Sequence, residues 1–309
     1  MPQISVIIPT FNRSEVLTKT LLHLHNQTLN QADFEIIVID DGSTDQTTSV
    51  VKHWQKSLKN LTLISNQRSG QGAAKARNQG IKLAKSPIIL MIGNDIYLKP
   101  NALKLHLDAH NKYPEPNAAI LGHIRWPKNK KTTTFMRWLD NTLPKQQPFQ
   151  GPQFAFHLLT KYQPDYRFFY TSNISLKTEL LKKNPFRTDF QSYGFEDTEL
   201  GYRLEKEEKL KIYYQPNIVA IHDHPLSFKD LKIRMQGIGK NLQLFTKLHP
   251  ELPLKPTKKK LILFKLITHK RLIKLSKKLK NIHPKLRAFY YYLLSKKYFL
   301  EAYEKKIKI

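Results

Sequence analysis

The stretch Glu35-Ile36-Ile37-Val38-Ile39-Asp40-Asp41-Gly42-Ser43-Thr44-Asp45 decides the fold. Its apolar, mostly β-branched run suits a strand covered on both faces, and Asp41-Gly42 followed by Ser43-Thr44 is turn chemistry where that strand ends. Ligands of open α/β sheets bind at the carboxyl ends of such strands. The stretch therefore reads as a central buried strand with a polar mouth.

Before it, Ile4-Ser5-Val6-Ile7-Ile8-Pro9-Thr10 predicts a first strand, stopped by a proline that cannot donate to a ladder. Asn12-Arg13-Ser14 then opens a helix whose apolar face is Val16, Leu17, Leu21, Leu22 and Leu24. Strand, helix, strand implies two parallel strands. After it come a helix over 45–58 capped by Ser43 or Asp45, a strand 61–65, and the Gly-rich opening Ser69-Gly70-Gln71-Gly72 of an Ala-rich helix. On that helix Lys75 and Arg77 could point at phosphate. A buried strand 86–92 ends in Gly93-Asn94-Asp95, and a strand over 118–124 follows.

The Lys-, Pro-, Thr- and Gln-rich stretch 126–153 reads as an irregular, mobile insertion. Further on, a strand over 169–176, a short helix 177–183 and an amphipathic helix ending near Glu208 are predicted. Two short strands, 212–215 and 218–222, come next, then a helix 226–248. The expected architecture is α/β, a Rossmann-like mixed, mostly parallel sheet flanked by helices, with a basic helical C-terminal extension. The domains are expected at 1–250, divided near residue 125 into a nucleotide-sugar half and an acceptor half, and at 251–309.

The chain has 309 residues, a net charge of +28 and no cysteine. Any metal must therefore be held by carboxylate, imidazole or substrate oxygens. No apolar run is long enough to span a bilayer, and Met1-Pro2-Gln3-Ile4-Ser5 enters a strand without a signal-like region, so a cytoplasmic protein is expected. Residues 255–309 hold 18 Lys or Arg against two Glu, a net +16, which leaves +12 for the rest. Such a segment calls for an acidic partner or stands as a solvated face.

Carboxylates and imidazoles gather at three places: Asp40 with Asp41, Asp95, and Glu196-Asp197 with His222 and His224. Taken singly, each Asp after a strand reads as a turn or helix cap, Glu196-Asp197 as charge at a helix N-terminus, and His222 as a core histidine. Taken together, they supply what a divalent cation bridging a diphosphate needs, because hard cations take oxygen and tolerate imidazole.

Four ordered motifs carry a resemblance. They are Val6-Ile7-Ile8-Pro9-Thr10-Phe11-Asn12-Arg13, Val38-Ile39-Asp40-Asp41-Gly42-Ser43-Thr44-Asp45, Ala74-Lys75-Ala76-Arg77-Asn78-Gln79-Gly80 and Tyr193-Gly194-Phe195-Glu196-Asp197-Thr198-Glu199-Leu200-Gly201-Tyr202-Arg203-Leu204. Over roughly the first 230 residues the chain resembles the family 2 glycosyltransferases of GT-A fold. The resemblance implies that Pro9, Thr10 and Asn12 line a nucleotide pocket, that Asp41 takes the base edge with Asp40 supporting the loop, and that Arg77 approaches the diphosphate. The family's D-x-D motif falls on Gly93-Asn94-Asp95, so its first Asp is missing, while Asp95 stands where the metal ligand is expected and Asn94 joins the substrate-binding residues. His222 or His224, with His222 favoured, would complete the metal site for Mn²⁺ or Mg²⁺. Asp197 would be the base, with Glu196, Tyr193 and Gly194 on the acceptor side.

The implied activity is inverting, metal-dependent transfer of a hexosyl or N-acetylhexosaminyl group from a nucleoside-diphosphate sugar, a UDP-sugar first of all. The acceptor would be a glycan or lipid-linked hydroxyl of the cell envelope. In the basic segment, cations alternate with Leu, Ile and Phe, and Phe289-Tyr290-Tyr291-Tyr292-Leu293-Leu294 adds aromatic residues, as in an interfacial helix peripheral to the inner face of an anionic membrane. An amphipathic helix packed on the catalytic domain fits the same pattern. The alternatives in other classes are a basic nucleic-acid-binding protein, for which no recognition motif is present, and a glycosyltransferase-like domain that binds without catalysis.

Overall fold

The computed structural model describes residues 1–67, 72–128, 132–142, 149, 151, 156–159 and 162–305. The expected Ser69-Gly70-Gln71 loop lies outside them, as does much of the 126–153 insertion. In chain order the elements begin with β1 (Ile4–Thr10), α1 (Ser14–His25), β2 (Phe34–Asp40), α2 (Thr47–Trp54), β3 (Leu61–Ser65), α3 (Gly72–Leu83), β4 (Ile88–Met91) and β5 (Ile96–Leu98). They continue with α4 (Ala102–Lys112), β6 (Ala118–Arg125), α5 (Thr134–Leu139), β7 (Ile174–Lys177), α6 (Thr178–Lys183), α7 (Glu196–Glu208) and β8 (Lys211–His222). Helices α8 (Phe228–Leu248), α9 (Lys258–Ile267), α10 (Lys270–Leu279) and α11 (Pro284–Tyr303) complete the chain.

Two compact units divide it: Met1–Pro127 with Leu159–Asp189 and Glu196–His224, and Lys128–Leu158 with Phe190–Phe195 and Pro225–Ile309. The first unit holds the whole eight-stranded sheet, in the order β3-β2-β1-β4-β7-β6-β8-β5. Strands β1, β2, β3 and β4 run parallel, β7 is antiparallel to β4 and β6, and β5 is antiparallel to β8. All seven residues of β2 are buried, as its uninterrupted apolar pattern requires. Its carboxyl end, and those of β1 and β4, lie on one edge, where Thr10, Asp40, Asp41 and Asp95 emerge.

Several sequence expectations change. Leu22 is 44% exposed, and Thr20 takes its place on the buried face of α1, because its hydroxyl donates to the Asn94 carbonyl at 2.6 Å. The expected strand over 169–176 shrinks to β7, since Phe168 and Phe169 are buried around a 3₁₀ turn rather than alternating along a strand. The two short strands after α7 are one, β8, whose pairing with β6 slips between Gly122 and His123; the bulge absorbs Pro216, which has no amide to offer a ladder. Residues 134–139 of the expected irregular insertion form α5, with Phe135, Met136, Trp138 and Leu139 buried.

In the second unit, α8 packs along α11. The aromatic run expected at a membrane interface is turned inward instead. Tyr290, Tyr291, Leu293 and Leu294 are buried, and the Tyr291 ring meets Phe135, Trp138 and Phe228 at centroid distances of 5.3–5.5 Å. The basic amphipathic stretch is broken at Thr268-His269 into α9 and α10, capped by Thr257 and His269 side chains. Among the described residues no helix is long and apolar enough to cross a membrane.

Candidate functional site

The edge that carries the strand ends is stitched by short polar contacts. The amide of Asp41 donates to the Thr10 carbonyl at 2.9 Å, and Asp41 Oδ2 accepts from the Gly72 amide at 3.0 Å. Its Oδ1 is buried and has no hydrogen-bond partner among the described residues. Asp40 accepts from the amide and hydroxyl of Ser43, which shapes the turn and leaves Asp41 as the carboxylate facing out of it. Asn12, at φ +49°, accepts from the Thr44 amide at 2.7 Å, and its own amide donates to Ser43 Oγ at 2.8 Å. Thr10 is buried and accepts from Asn94 Nδ2 at 2.9 Å, while Pro9 lies on β1 beside Ile39.

Asn94 leads directly to the second cluster. Asp95 sits between the end of β4 and the start of β5, and the pairing of Ile96 with His222 carries β8's histidines to it. The Asp223 amide donates to the Asp95 carbonyl at 3.0 Å. Asp95 Oδ2 is 2.9 Å from His224 Nδ1 and 3.6 Å from His222 Nε2, and the ligand atoms of the three residues all lie within 4.8 Å of one another. Burial pushes the Asp95 carboxyl up, but His222 and then His224 outweigh it and hold the group well below the usual carboxylate range. Burial lowers His224, favouring its neutral form. One carboxylate and two imidazoles in this compass could hold a divalent cation. The His222 ring is fixed by stacking on Trp126, with centroids 4.9 Å apart.

The third cluster joins α3 to α7. Arg77 is buried, its Nη1 lies 3.5 Å from Glu196 Oε1, and its guanidinium stands 5.6 Å from the centre of the Phe186 ring. Phe186 is in turn held by a paired contact: Asn78 Nδ2 donates to its carbonyl and its amide donates to Asn78 Oδ1, both at 2.8 Å. Burial, reinforced by the Glu196 charge and opposed by Arg77, raises Asp197 to about 7. Helix α3 thus touches Asp41 through Gly72 and Glu196 through Arg77, five residues or about 7.5 Å along its axis. Glu199 is fully buried and paired with Arg203 one turn on, at 3.0 Å, which anchors the start of α7.

Tyr193 and Gly194 belong to the second unit. There Asn241 donates to the carbonyls of Ser192 and Gly194 at 2.9 and 2.6 Å, and Arg234 donates to the Tyr193 hydroxyl at 2.9 Å with its guanidinium 4.5 Å from the ring centre. Phe195 is held at φ +76°, a backbone region costly for an aromatic residue, with its ring 5.1 Å from Phe245.

The structure therefore brings Thr10, Asn12, Asp40, Asp41, Asn94, Asp95, His222 and His224 to one edge, and pairs Arg77 with Glu196-Asp197. Sequence reasoning missed Arg13, whose Nη1 is 2.8 Å from Asp95 Oδ2. It also missed Asn78, Asn241 and Arg234. The only available signal was that Arg13 and Asn78 lie inside quoted motifs; nothing local marks the α8 residues.

Residues 5–183 match the model of the family described as Glycosyl transferase family 2. Validoxylamine A glucosyltransferase from Streptomyces hygroscopicus subsp. jinggangensis is 32% identical over 220 residues, covering 66% of this chain and 51% of the relative. The chain spans about half the length of the curated relatives it matches first. The poly(ribitol-phosphate) β-N-acetylglucosaminyltransferase TarS of Staphylococcus aureus is 35% identical over 104 residues, 34% of this chain and 18% of that protein. The structure of TarS 1–349 in complex with UDP-GlcNAc superimposes with a TM-score of 0.55 at 18% identity, covering 98% and 90% of the two chains. The mannosyltransferase PcManGT from Pyrobaculum calidifontis, in complex with GDP-Man and Mn²⁺, gives a TM-score of 0.63 at 17% identity over 97% and 86%. The sheet is thus that of the GT-A glycosyltransferases, and with more than half its length matched by the family model the chain belongs to glycosyl transferase family 2.

Proposed function

We propose that the protein is an inverting, divalent-cation-dependent glycosyltransferase that moves a hexosyl or N-acetylhexosaminyl group from a UDP-sugar to a hydroxyl of a glycan or lipid-linked acceptor of the cell envelope. The observation that carries this reading is Asp197: a carboxyl raised to about 7, beside Glu196 and Arg77 at the start of α7. A hydroxyl is a poor nucleophile until a positioned base takes its proton, and a base poised near neutrality does so at working pH. Asp197 takes the acceptor proton as the acceptor oxygen bonds to the anomeric carbon from the face opposite the nucleoside diphosphate. The bond from that carbon to phosphate breaks, and one displacement inverts the centre.

Asp41, with one oxygen turned out of its hydrogen bonds, receives a base-edge N–H, and Thr10, Asn12 and Asn94 shape the pocket. Asp95, His222 and His224 would hold the cation, which when bound would supply positive charge to the leaving diphosphate. Arg77 holds Glu196, which faces the acceptor. The nucleoside part rests on TarS with UDP-GlcNAc, and the metal on PcManGT with Mn²⁺ together with the Asp-His cluster.

The test is release of UDP from UDP-GlcNAc and UDP-Glc, with Mn²⁺ or after chelation. Activity lost on chelation and in Asp95→Ala and Asp197→Asn supports the reading; full activity in both variants removes it.

A second feature concerns placement. Ile262, Leu263, Leu266, Leu275 and Ile282 are each more than half exposed among the lysines of α9, α10 and the turn after them. This favours a cytoplasmic protein resting on the anionic inner face of a membrane, where a lipid-linked acceptor is found.

A further inference from the structure

Arg13 lies against two of the three residues of the candidate metal cluster. Its Nη1 is 2.8 Å from Asp95 Oδ2 and 2.8 Å from His224 Nδ1, and its Nη2 is 3.5 Å from His224 Nε2. Asp95 Oδ2 also lies 2.9 Å from His224 Nδ1, so one guanidinium nitrogen, one carboxylate oxygen and one imidazole nitrogen meet at a single point, and the tautomer of His224 decides whether Nδ1 accepts from Arg13 or donates to Asp95. The carboxylate oxygen and the imidazole nitrogen thus both lie against one cationic group. Asp95 and His224 are two of the three residues that could hold a divalent cation.

We infer that Arg13 is a tethered competitor for the cation at Asp95 and His224, so that loading the ion requires the guanidinium to leave. The inference rests on the metal reading above. Arg13 precedes the first turn of α1 and its side chain is 36% exposed, so it can swing to solvent without disturbing the core. An arriving diphosphate offers the displaced guanidinium a new partner, since arginine matches phosphate oxygens with paired N–H groups. The competition therefore couples metal loading to donor arrival and disfavours the ion in the absence of nucleotide.

The experiment is a Mn²⁺ titration of the full chain without nucleotide, followed by the electron paramagnetic resonance signal of free Mn²⁺. Arg13→Gln and Arg13→Met are expected to bind Mn²⁺ on the order of tenfold more tightly than wild type, the size of an ordinary coupling between ligands. Arg13→Lys, which keeps the charge, stays near wild type. Thermal melts confirm that each variant is folded. Unchanged or weaker binding in both Arg13→Gln and Arg13→Met, with Asp95→Asn abolishing it, overturns the inference and leaves the metal site intact. Binding indifferent to Asp95→Asn overturns the metal reading itself, and the inference with it.

Discussion

Arg77 Nη1 approaches Glu196 Oε1 to 3.5 Å while Asp197, the next residue, is raised to about 7 by burial and by the Glu196 charge. Arg77 opposes both, so its guanidinium limits how far Asp197, the proposed base, departs from an ordinary carboxyl. Below about 7 the carboxyl carries a proton and cannot act as a base. We predict that kcat/KM for UDP release rises with pH and levels above about 7. Replacing Arg77 by Met removes the downward influence and moves the limb to higher pH. A limb that stays in place would remove Arg77 from this role.

The same group makes stability depend on pH, with a definite sign. Between the ordinary carboxylate range and about 7 the folded chain holds a proton on Asp197 that the unfolded chain has lost, so unfolding free energy falls as pH rises through that window. In Asp197→Asn this fall is expected to flatten. Urea midpoints at pH 5 to 8 measure it, and identical slopes in the two proteins would count against the raised carboxyl.

The resemblance to the family aligns Gly93 with the first acidic residue of its D-x-D motif, and the packing leaves little room for a side chain there. A Cβ at this position would stand 2.8 Å from Asp95 Oδ1 and 3.4 Å from Ile96 Cγ1. The Asp95 carboxylate is held from its other side by Arg13 and His224, so it has little room to retreat. Gly93→Ala is expected to weaken Mn²⁺ binding several-fold and lower UDP release, and Gly93→Asp does not restore a stronger site. Calorimetric Mn²⁺ affinities decide it; an alanine variant that binds as wild type does would show that the carboxylate shifts freely.

Asn78 makes the paired contact that fixes Phe186 under Arg77. Asn78→Ala leaves a half-buried N–H and carbonyl unmet, a loss of about 2 kcal/mol. The urea midpoint should fall accordingly, and UDP release should fall with it because the Phe186 ring no longer braces Arg77. A variant as stable as wild type would mean that water replaces both bonds.

Much of the first unit was legible because its signals are local. The run through Ile36–Ile39 needs no partner to announce a buried strand, and the polar residues after it can only lie at the strand's mouth. Phe168-Phe169-Tyr170 also has strand-favouring residues but a different outcome: Phe169 is buried against Gly201, where a Cβ would come within 2.6 Å of it, so helix contact rather than a ladder fixes the segment. Strand β5, only three residues long, depends on pairing with β8. Arg13 was readable as a motif residue but not as a partner of Asp95, 82 positions away. The α8 residues that hold Ser192–Gly194 are likewise set by tertiary contact alone.

The basic helices show two kinds of apolar residue, and only one is used inside the protein. Phe264 is buried, 6.4 Å from the Phe299 ring, whereas Lys259, Ile262, Leu263 and Leu266 follow helical spacing on an exposed side of α9. Arg271, Leu275 and Lys278 repeat the arrangement on α10 at i, i+4 and i+7, and Ile282 is exposed in the turn after it. A side chain such as leucine gains about 1.5–3 kcal/mol on full burial, and each lysine about 1 kcal/mol near an anionic surface. A handful of each suffices for reversible binding. The double variant Ile262→Glu/Leu266→Glu is therefore expected to lose at least tenfold in partition onto phosphatidylglycerol vesicles. Its thermal melt should be unchanged because both sites are exposed. Phosphatidylcholine vesicles should bind neither protein well, and raising salt should weaken the wild type. Equal sedimentation of wild type and double variant with anionic vesicles would show that these stripes do not meet lipid.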